Sequence, residues 1–318
     1  MAEVTGLAYG PVPSRRLGKS LGINNVLPKI CTYSCAYCQL GYASGLSVER
    51  RFFYNPEDIF KSTVKLVEKA IEAGEKIDYL CFVPDGEPTL DINLGKTIKL
   101  LQKIAVPVGV ITNSSLLWRD DVREELSQAD WVSIKIDAIE EPCWRKINHP
   151  HRSLDLAAII KGIENFTRYF KGKLVTETMI AGKYNDNDKS MQLVADFIGR
   201  LNVDCAYLSI PTRPPAEKGL QKPGEEFINL AYQILSAKIK KVEYLIGYEG
   251  NDFAFTGDVE KDILSITAVH PMREDAVAGF LKKAGASDDI INRLVVTRKL
   301  RRIEYGGHVF YLRKFSKG

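Results

Sequence analysis

Three cysteines within eight residues, Cys31-Thr-Tyr-Ser-Cys35-Ala-Tyr-Cys38, constrain this chain more than any other feature. The spacing is C-x-x-x-C-x-x-C, and the remaining cysteines, Cys81, Cys143 and Cys205, each stand alone. Thiolates hold iron–sulfur clusters, four of them for a four-iron cubane. A run of three leaves one iron without a protein ligand, and an open metal position is where chemistry takes place. Structural zinc asks for four ligands in closed tetrahedral geometry. No histidine lies near enough in sequence to complete such a set. Clustered thiols without a disulfide pattern read as metal-binding in an intracellular enzyme, so a cytoplasmic location is expected.

The rest of the chain has to build a scaffold for that loop. With 318 residues, 45% of them hydrophobic, it can bury one large core or two unequal ones. No run of about 18 apolar residues occurs, so no membrane span is expected. The start, Met1-Ala-Glu-Val-Thr-Gly6, has no basic region followed by an apolar one, so no secretory leader is expected.

Residues 9–19 read as an irregular lead-in with two prolines, and Ser20 to Val26 as a first strand that runs into the cysteine loop. Asn55-Pro56-Glu57 starts a helix, with a capping Asn and Pro at the first turn, and Gly74 ends it. Apolar strands follow at Tyr79–Val83, Val108–Thr112, Trp131–Asp137, Leu174–Ile180 and Cys205–Ile210. Helices fall between and after them, over about 94–104, 119–128, 154–170, 190–200 and 225–240. About six strand–helix repeats predict an α/β fold with a parallel sheet and helices outside it. Strands that read as unbroken apolar runs agree with burial on both faces. Six repeats are too few for a closed eightfold barrel, and periodicity alone does not choose between an open partial barrel and a doubly wound sheet.

The cysteine spacing, with Tyr37 just before the last cysteine, resembles the signature of the radical S-adenosylmethionine superfamily. The lead-in Gly10-Pro-Val-Pro-Ser-Arg-Arg-Leu-Gly18 resembles a subgroup of it described only as Fe–S oxidoreductases. The likeness runs from about Tyr9 to Pro215. It implies an open (β/α)6 partial barrel and a [4Fe–4S] cluster on Cys31, Cys35 and Cys38. It also implies that S-adenosylmethionine chelates the open iron and that an external electron donor reduces the cluster. The expected reaction is reductive cleavage to a 5′-deoxyadenosyl radical that abstracts hydrogen from a substrate, the protein supplying position and exclusion of water.

In α/β barrels the chemistry sits at the C-terminal ends of the strands. The second predicted strand ends in Pro84-Asp85-Gly86-Glu87-Pro88, which resembles the superfamily's G-G-E-P, with Asp85 in place of the first glycine. The likeness implies that Gly86, Glu87 and Pro88 hold the methionine amino group. Thr112-Asn113-Ser114 resembles the superfamily's T-N-G and makes Asn113 a cofactor-binding candidate. Ser133, Lys135 and Asp137 alternate along one face of the fourth predicted strand. They suggest a polar cavity, with Ser133 and Asp137 as candidates for the ribose and Lys135 for the methionine carboxylate or an acidic substrate; a structural hydrogen bond explains each equally well. Gly182-Lys-Tyr-Asn185-Asp186 resembles a G-x-N-D turn. Arg15, Arg16, Glu177, Arg213, His149 and His151 read as structural or surface residues before functional ones, and Cys143 as a small apolar one.

A polar connector over 250–257 leads to three predicted helices, about 258–269, 273–284 and 287–297. A hairpin follows, Leu300–Tyr305 and His308–Leu312, turning at Gly306-Gly307. Three helices and a hairpin resemble a winged helix. The expected division is a partial-barrel domain over 1–250 and a basic winged-helix-like domain over 256–318. From Ile290 onward Arg293, Arg298, Lys299, Arg301, Arg302, Arg313, Lys314 and Lys317 face one acid, Glu304. That charge suits a nucleic acid, and such folds also dock polypeptides, so both partners stand as expectations. A metal-binding nucleic-acid regulator without catalysis is the reading of another class.

Overall fold

A computed structural model describes residues 6–247 and 250–314. The leader expectation at Met1–Thr5 and the tail cation Lys317 lie outside them. Among the described residues eight strands form one sheet: β1 (Ala8–Ser14), β2 (Gly18–Ile23), β3 (Tyr79–Phe82), β4 (Val108–Thr112), β5 (Trp131–Lys135), β6 (Lys173–Met179), β7 (Cys205–Ser209) and β8 (Val242–Leu245). They follow one another in chain order across the sheet. All neighbours run parallel except β1, which pairs antiparallel with β2.

Helices α1 (Pro56–Glu72), α2 (Leu94–Leu101), α3 (Asp120–Leu126), α4 (Glu141–Asn148), α5 (Leu156–Tyr169), α6 (Asp188–Ile198) and α7 (Glu225–Ser236) fill the connections. The Asn55 side chain accepts from the Glu57 N–H at 3.1 Å and caps α1, and Gly74 follows that helix at φ +72°. The sheet curls into an open half-barrel. Its outer face packs under the helices: Leu80, Val110, Val132 and Ile134 share a core with Ile59, Ile98, Val122 and Ile163. Its inner face holds a second cluster of Leu17, Cys81, Trp131, Val175, Cys205, Tyr207 and Leu245. Burial on both faces is why the strands lack polar alternation.

Three differences from the sequence reading have plain causes. The lead-in is the strand β1, which lies at the sheet edge, where Pro11 and Pro13 break no ladder that needs their missing N–H. The Tyr9 ring lies where a Cβ on Gly22 would be, so β1 and β2 need that glycine. Strand β8 was not expected; it is four residues long, half-exposed and on the other edge. Helix α4 was read as loop, because it has eight residues and buries only Trp144, Ile147 and Asn148. Arg15, in the turn after β1, donates to the carbonyls of Leu245 and, at 3.0 Å, of Gly247, so the two edges of the sheet are tied together.

Helices α8 (Val259–Val269), α9 (Glu274–Ala284) and α10 (Asp289–Val296) follow the connector. Strands β9 (Met272–Arg273), β10 (Leu300–Tyr305) and β11 (His308–Arg313) form a small antiparallel sheet in the order β9-β11-β10. Their shared core of Ile263, Ile266, Met272, Phe280, Leu294 and Leu300 also takes in Tyr9 and Val12 of β1. The C-terminal unit is thereby packed on the edge of the half-barrel.

Candidate active site at the mouth of the half-barrel

Cys31, Cys35 and Cys38 lie on the loop after β2, each partly exposed and free of disulfides, whereas Cys81 and Cys205 are buried in strands. The loop is clamped from two sides. Its Ser34 and Ala36 N–H groups donate to Asn148 and Ile147 carbonyls at the end of α4, at 3.0 and 2.9 Å. Beneath it runs the loop after β3: the Lys29 N–H donates to the Asp85 carbonyl at 2.6 Å and the Glu87 N–H to the Ile30 carbonyl at 3.1 Å. A Cβ on Gly86 would come within 2.0 Å of the Ile30 oxygen, so only glycine permits this approach.

Two side-chain amides back the sulfurs. Asn113 Nδ2 lies 3.5 Å from Cys31 Sγ and Asn148 Nδ2 lies 3.4 Å from Cys35 Sγ. Donors of this kind are what cluster sulfurs accept and what tunes their potential. Burial pushes all three thiols above their ordinary range, Cys35 to about 12 with Asp137 adding to the effect. Ligation therefore has to displace protons here. Among the described residues no group of His, Cys, Asp or Glu converges on a single metal ion. Cluster thiolates each bind a different iron, so three partly exposed thiols on one loop, two of them backed by side-chain amides, fit a cluster.

Glu87 is 2% exposed. Its Oε1 accepts from the Thr89 and Thr112 hydroxyls at 2.7 and 2.6 Å, and its Oε2 from the Asn113 N–H at 2.8 Å. Burial raises its pKa against these donors. Its carboxylate thus ties the loop after β3 to the end of β4. Pro88 opens a single 3-10 turn, and its carbonyl accepts from Asn25 Nδ2 at 3.0 Å. Asp85 is 4% exposed, its Oδ1 has no hydrogen-bond partner among the described residues, and burial lifts its pKa to about 7 against Arg313 and Lys29. Asn113 Nδ2 also donates to Thr32 Oγ1 at 2.7 Å, bringing the end of β4 onto the cysteine loop. Ser114 takes φ +70° where the superfamily pattern has glycine.

The inner face of β5 carries Ser133 and Lys135, and Asp137 follows two residues past the strand's end, continuing the alternation. Asp137 accepts from Tyr37 Oη, from Asn148 Nδ2 at 2.8 Å and from the Met179 N–H at 2.9 Å. Lys135 Nζ lies 4.8 Å from the Tyr37 ring centroid and 3.3 Å from Glu177 Oε1. Arg16 Nη1 reaches Glu177 Oε2 at 2.5 Å, and Ser209 Oγ donates to Oε1 at 3.0 Å. Burial works to raise the Glu177 pKa, but Arg16, Lys135 and Arg15 outweigh it and hold it at about 2. Burial likewise opposes the Lys135 charge, and Glu177 and Asp137 more than restore it. The result is an ionised Arg16–Glu177–Lys135 triad inside the half-barrel. Ser133 Oγ is buried there with no partner among the described residues.

The backbone of His149 and His151 lies against the cysteine loop, with the Ser34 N–H 3.2 Å from the His149 carbonyl and the His151 N–H donating to the Thr32 carbonyl at 2.9 Å, while their rings make other contacts. His151 Nδ1 meets Ser153 Oγ at 2.8 Å, and His149 stacks on Tyr42 with centroids 6.4 Å apart. Cys143 Sγ faces the Tyr184 carbonyl at 3.7 Å. Sequence reasoning assigned no role to Asn148, although it touches both Cys35 and Asp137. Asn185 Nδ2 donates to the Asp137 and Met179 carbonyls at 2.9 and 2.8 Å, which fixes the ends of β5 and β6 together. The G-x-N-D pattern was the signal for Asn185; Asn148 had none beyond its place beside two histidines.

In the C-terminal unit the basic run meets acids that precede it in sequence. Arg293 and Lys299 pair with Glu260 at 2.8 and 2.7 Å. Arg302 lies 3.6 Å from Glu274 and, within the run itself, 3.4 Å from Glu304. Arg298, Arg301 and Lys314 are exposed. No described helix is long and apolar enough to cross a membrane.

Comparison with known proteins agrees with this geometry. The family model for the Radical SAM superfamily matches residues 25–198. A UPF0026 protein of Methanocaldococcus jannaschii is 48% identical over 98% of this chain and 97% of its own length. A UPF0026 protein of Synechocystis is 34% identical over 68% of this chain and 80% of its own. Among solved structures, a radical SAM methyltransferase from Sphaerobacter thermophilus superposes with a TM-score of 0.56 at 16% identity, covering 71% of this chain and 66% of that one.

Proposed function

Since the chain belongs to the radical S-adenosylmethionine superfamily and within it to the UPF0026 family, we propose that it uses Cys31, Cys35 and Cys38 to hold a [4Fe–4S] cluster and acts on a nucleic-acid substrate presented by its C-terminal unit. It is a radical S-adenosylmethionine enzyme. When bound, the cluster and S-adenosylmethionine, with an external electron donor, supply a 5′-deoxyadenosyl radical for hydrogen abstraction. The observation that carries the cluster assignment is the amide-backed cysteine loop seated on the Gly86–Glu87 loop at the mouth of the half-barrel.

The chain's own residues have separable tasks in this reading. Glu87 fixes the loop whose backbone at Gly86 and Pro88 faces the methionine end. Asn113 orients that end against Cys31. Ser133 and Asp137 are the ribose candidates, and Lys135 receives a carboxylate. The triad of Arg16, Glu177 and Lys135 carries a net positive charge, which favours an anionic group above it. The C-terminal unit, read as a winged helix, offers Arg298, Arg301 and Lys314 to a phosphate backbone.

The test has two arms. Reduced protein is incubated anaerobically with fractionated cell extract and 5′-deoxyadenosine is followed. Stimulation by a nuclease-sensitive fraction supports the reading, and stimulation by a protease-sensitive fraction favours a polypeptide substrate. Nucleic-acid binding by the full chain must weaken steeply with salt. Replacing Arg298, Arg301 and Lys314 with Ala should lower that slope by up to about three charges' worth. Binding that is absent or indifferent to salt would refute the nucleic-acid assignment.

A further inference from the structure

Gln39 directly follows the third cysteine, and both ends of its amide are engaged. Its Oε1 accepts from Arg213 Nη1 at 2.6 Å, in the loop after β7. Its Nε2 donates to the carbonyl of Val269 at 2.7 Å, the last residue of α8. The next residue, His270, closes the junction: Arg213 Nη2 lies 3.1 Å from its Nδ1 and 2.8 Å from its Nε2. The His270 ring is buried edge-on against Phe253, with centroids 5.2 Å apart. Two further bonds support the same meeting of segments. Tyr305 Oη donates to the Pro211 carbonyl at 3.2 Å, and the Glu217 N–H donates to the Ala36 carbonyl at 2.9 Å.

Three segments distant in sequence thus converge behind Cys38: the cysteine loop, the loop after β7 and the end of α8. A side-chain amide with its donor and its acceptor both satisfied by different segments has one orientation, unlike a solvated surface glutamine. The Cys38 N–H donates to the Cys35 carbonyl at 3.0 Å, so the turn that carries the third sulfur is short and stiff.

We propose that Gln39 is a positioning residue for the third cluster ligand, held through Arg213 and His270, so that the C-terminal unit is a working part of the cluster site. This rests on Cys38 being a cluster ligand. His270 has to stay neutral for a ring nitrogen to accept from Arg213. Burial depresses its pKa well below the ordinary value, and the cations Arg213 and Arg15 that face it act in the same direction.

The experiment uses the full chain, reconstituted anaerobically, as wild type, Gln39→Ala, Gln39→Glu, His270→Ala and the Gln39/His270 double variant. Iron content, the electron paramagnetic resonance spectrum of the reduced cluster, its midpoint potential and the S-adenosylmethionine dissociation constant are measured. Gln39→Ala and His270→Ala should each keep their iron, alter the spectrum and potential in the same direction, and weaken S-adenosylmethionine binding by about fivefold, the equivalent of one hydrogen bond. The double variant should be no worse than the poorer single variant, because the residues act along one path. Gln39→Glu retains the acceptor for Arg213 and should fall between Gln39→Ala and wild type. A folded Gln39→Ala protein with wild-type spectrum and potential would overturn the proposal, as would fully additive changes. If His270→Ala does not fold, the two Gln39 variants still decide. Wild-type protein that binds no cluster refutes the cluster assignment instead.

Discussion

The Asn113 main-chain N–H donates to Glu87 Oε2 at 2.8 Å, joining the end of β4 to the loop after β3 through one buried carboxylate. Glu87 has the outward look of a ligand-binding acid in sequence, yet in the fold its oxygens are turned onto Thr89, Thr112 and Asn113. Its effect on a ligand therefore passes through the backbone that it holds.

Glu87→Ala leaves those donors buried without an acceptor, at a cost of about 1–3 kcal/mol. The variant should melt earlier and bind S-adenosylmethionine about tenfold or more weakly, one decade being about 1.4 kcal/mol. Calorimetric titration and thermal unfolding check both. Affinity and melting equal to wild type would remove Glu87 from the site.

The cysteines separate cluster binding from folding. Cys31→Ala, Cys35→Ala and Cys38→Ala should each lose reductive cleavage of S-adenosylmethionine, while Cys81→Ala should retain iron and turnover. Iron analysis and product assay of the reconstituted proteins decide this. Full turnover in any of the first three would end the cluster assignment.

Asn148 donates to both Cys35 Sγ and Asp137 Oδ2. Hydrogen bonds to cluster sulfurs stabilise the reduced, more negative state. Asn148→Ala should therefore lower the midpoint potential, and Asn113→Ala should do the same from the Cys31 side. Redox titration followed by resonance spectroscopy gives the values. An unchanged or higher potential in both would show that these amides do not act on the sulfurs.

Glu177 gives a pH signature. Its folded pKa, about 2, lies below the ordinary value of 4.5. The unfolded chain therefore binds the proton first, and the stability that Glu177 contributes is present above about 4.5 and lost as pH falls toward 2. Glu177→Gln leaves Arg16 and Lys135 facing each other, and breaking such a buried network costs about 3–5 kcal/mol near neutral pH. The difference between wild type and variant should shrink as the pH is lowered through that window. Denaturant unfolding at several pH values measures it, and a difference independent of pH would contradict the triad.

The sequence by itself determined the cysteine loop, the repeating strands and helices and the three-helix-and-hairpin end, because local spacing and period encode them. Apolar runs predicted strands buried on two faces, and the two-residue period put Ser133 and Lys135 on one side of β5, with Asp137 continuing the alternation past its end. Edge strands were harder to read. The prolines of β1 look like loop until the sheet edge excuses their missing N–H groups, and β8 is too short and half-exposed to stand out.

Only the tertiary structure decided which charges and amides meet. Glu177 looked like a solvated strand end, and the fold closes it between Arg16 and Lys135. The basic run after Ile290 looked uncompensated, and Glu260 and Glu274 from earlier helices pair with part of it. Asn148 reaches Cys35 from 113 residues away, and Gln39 meets Val269 from 230. Periodicity reports which face of an element is buried. It carries no record of the partner across the core, because that pairing is fixed by how the sheet curls and where the helices set down their ends.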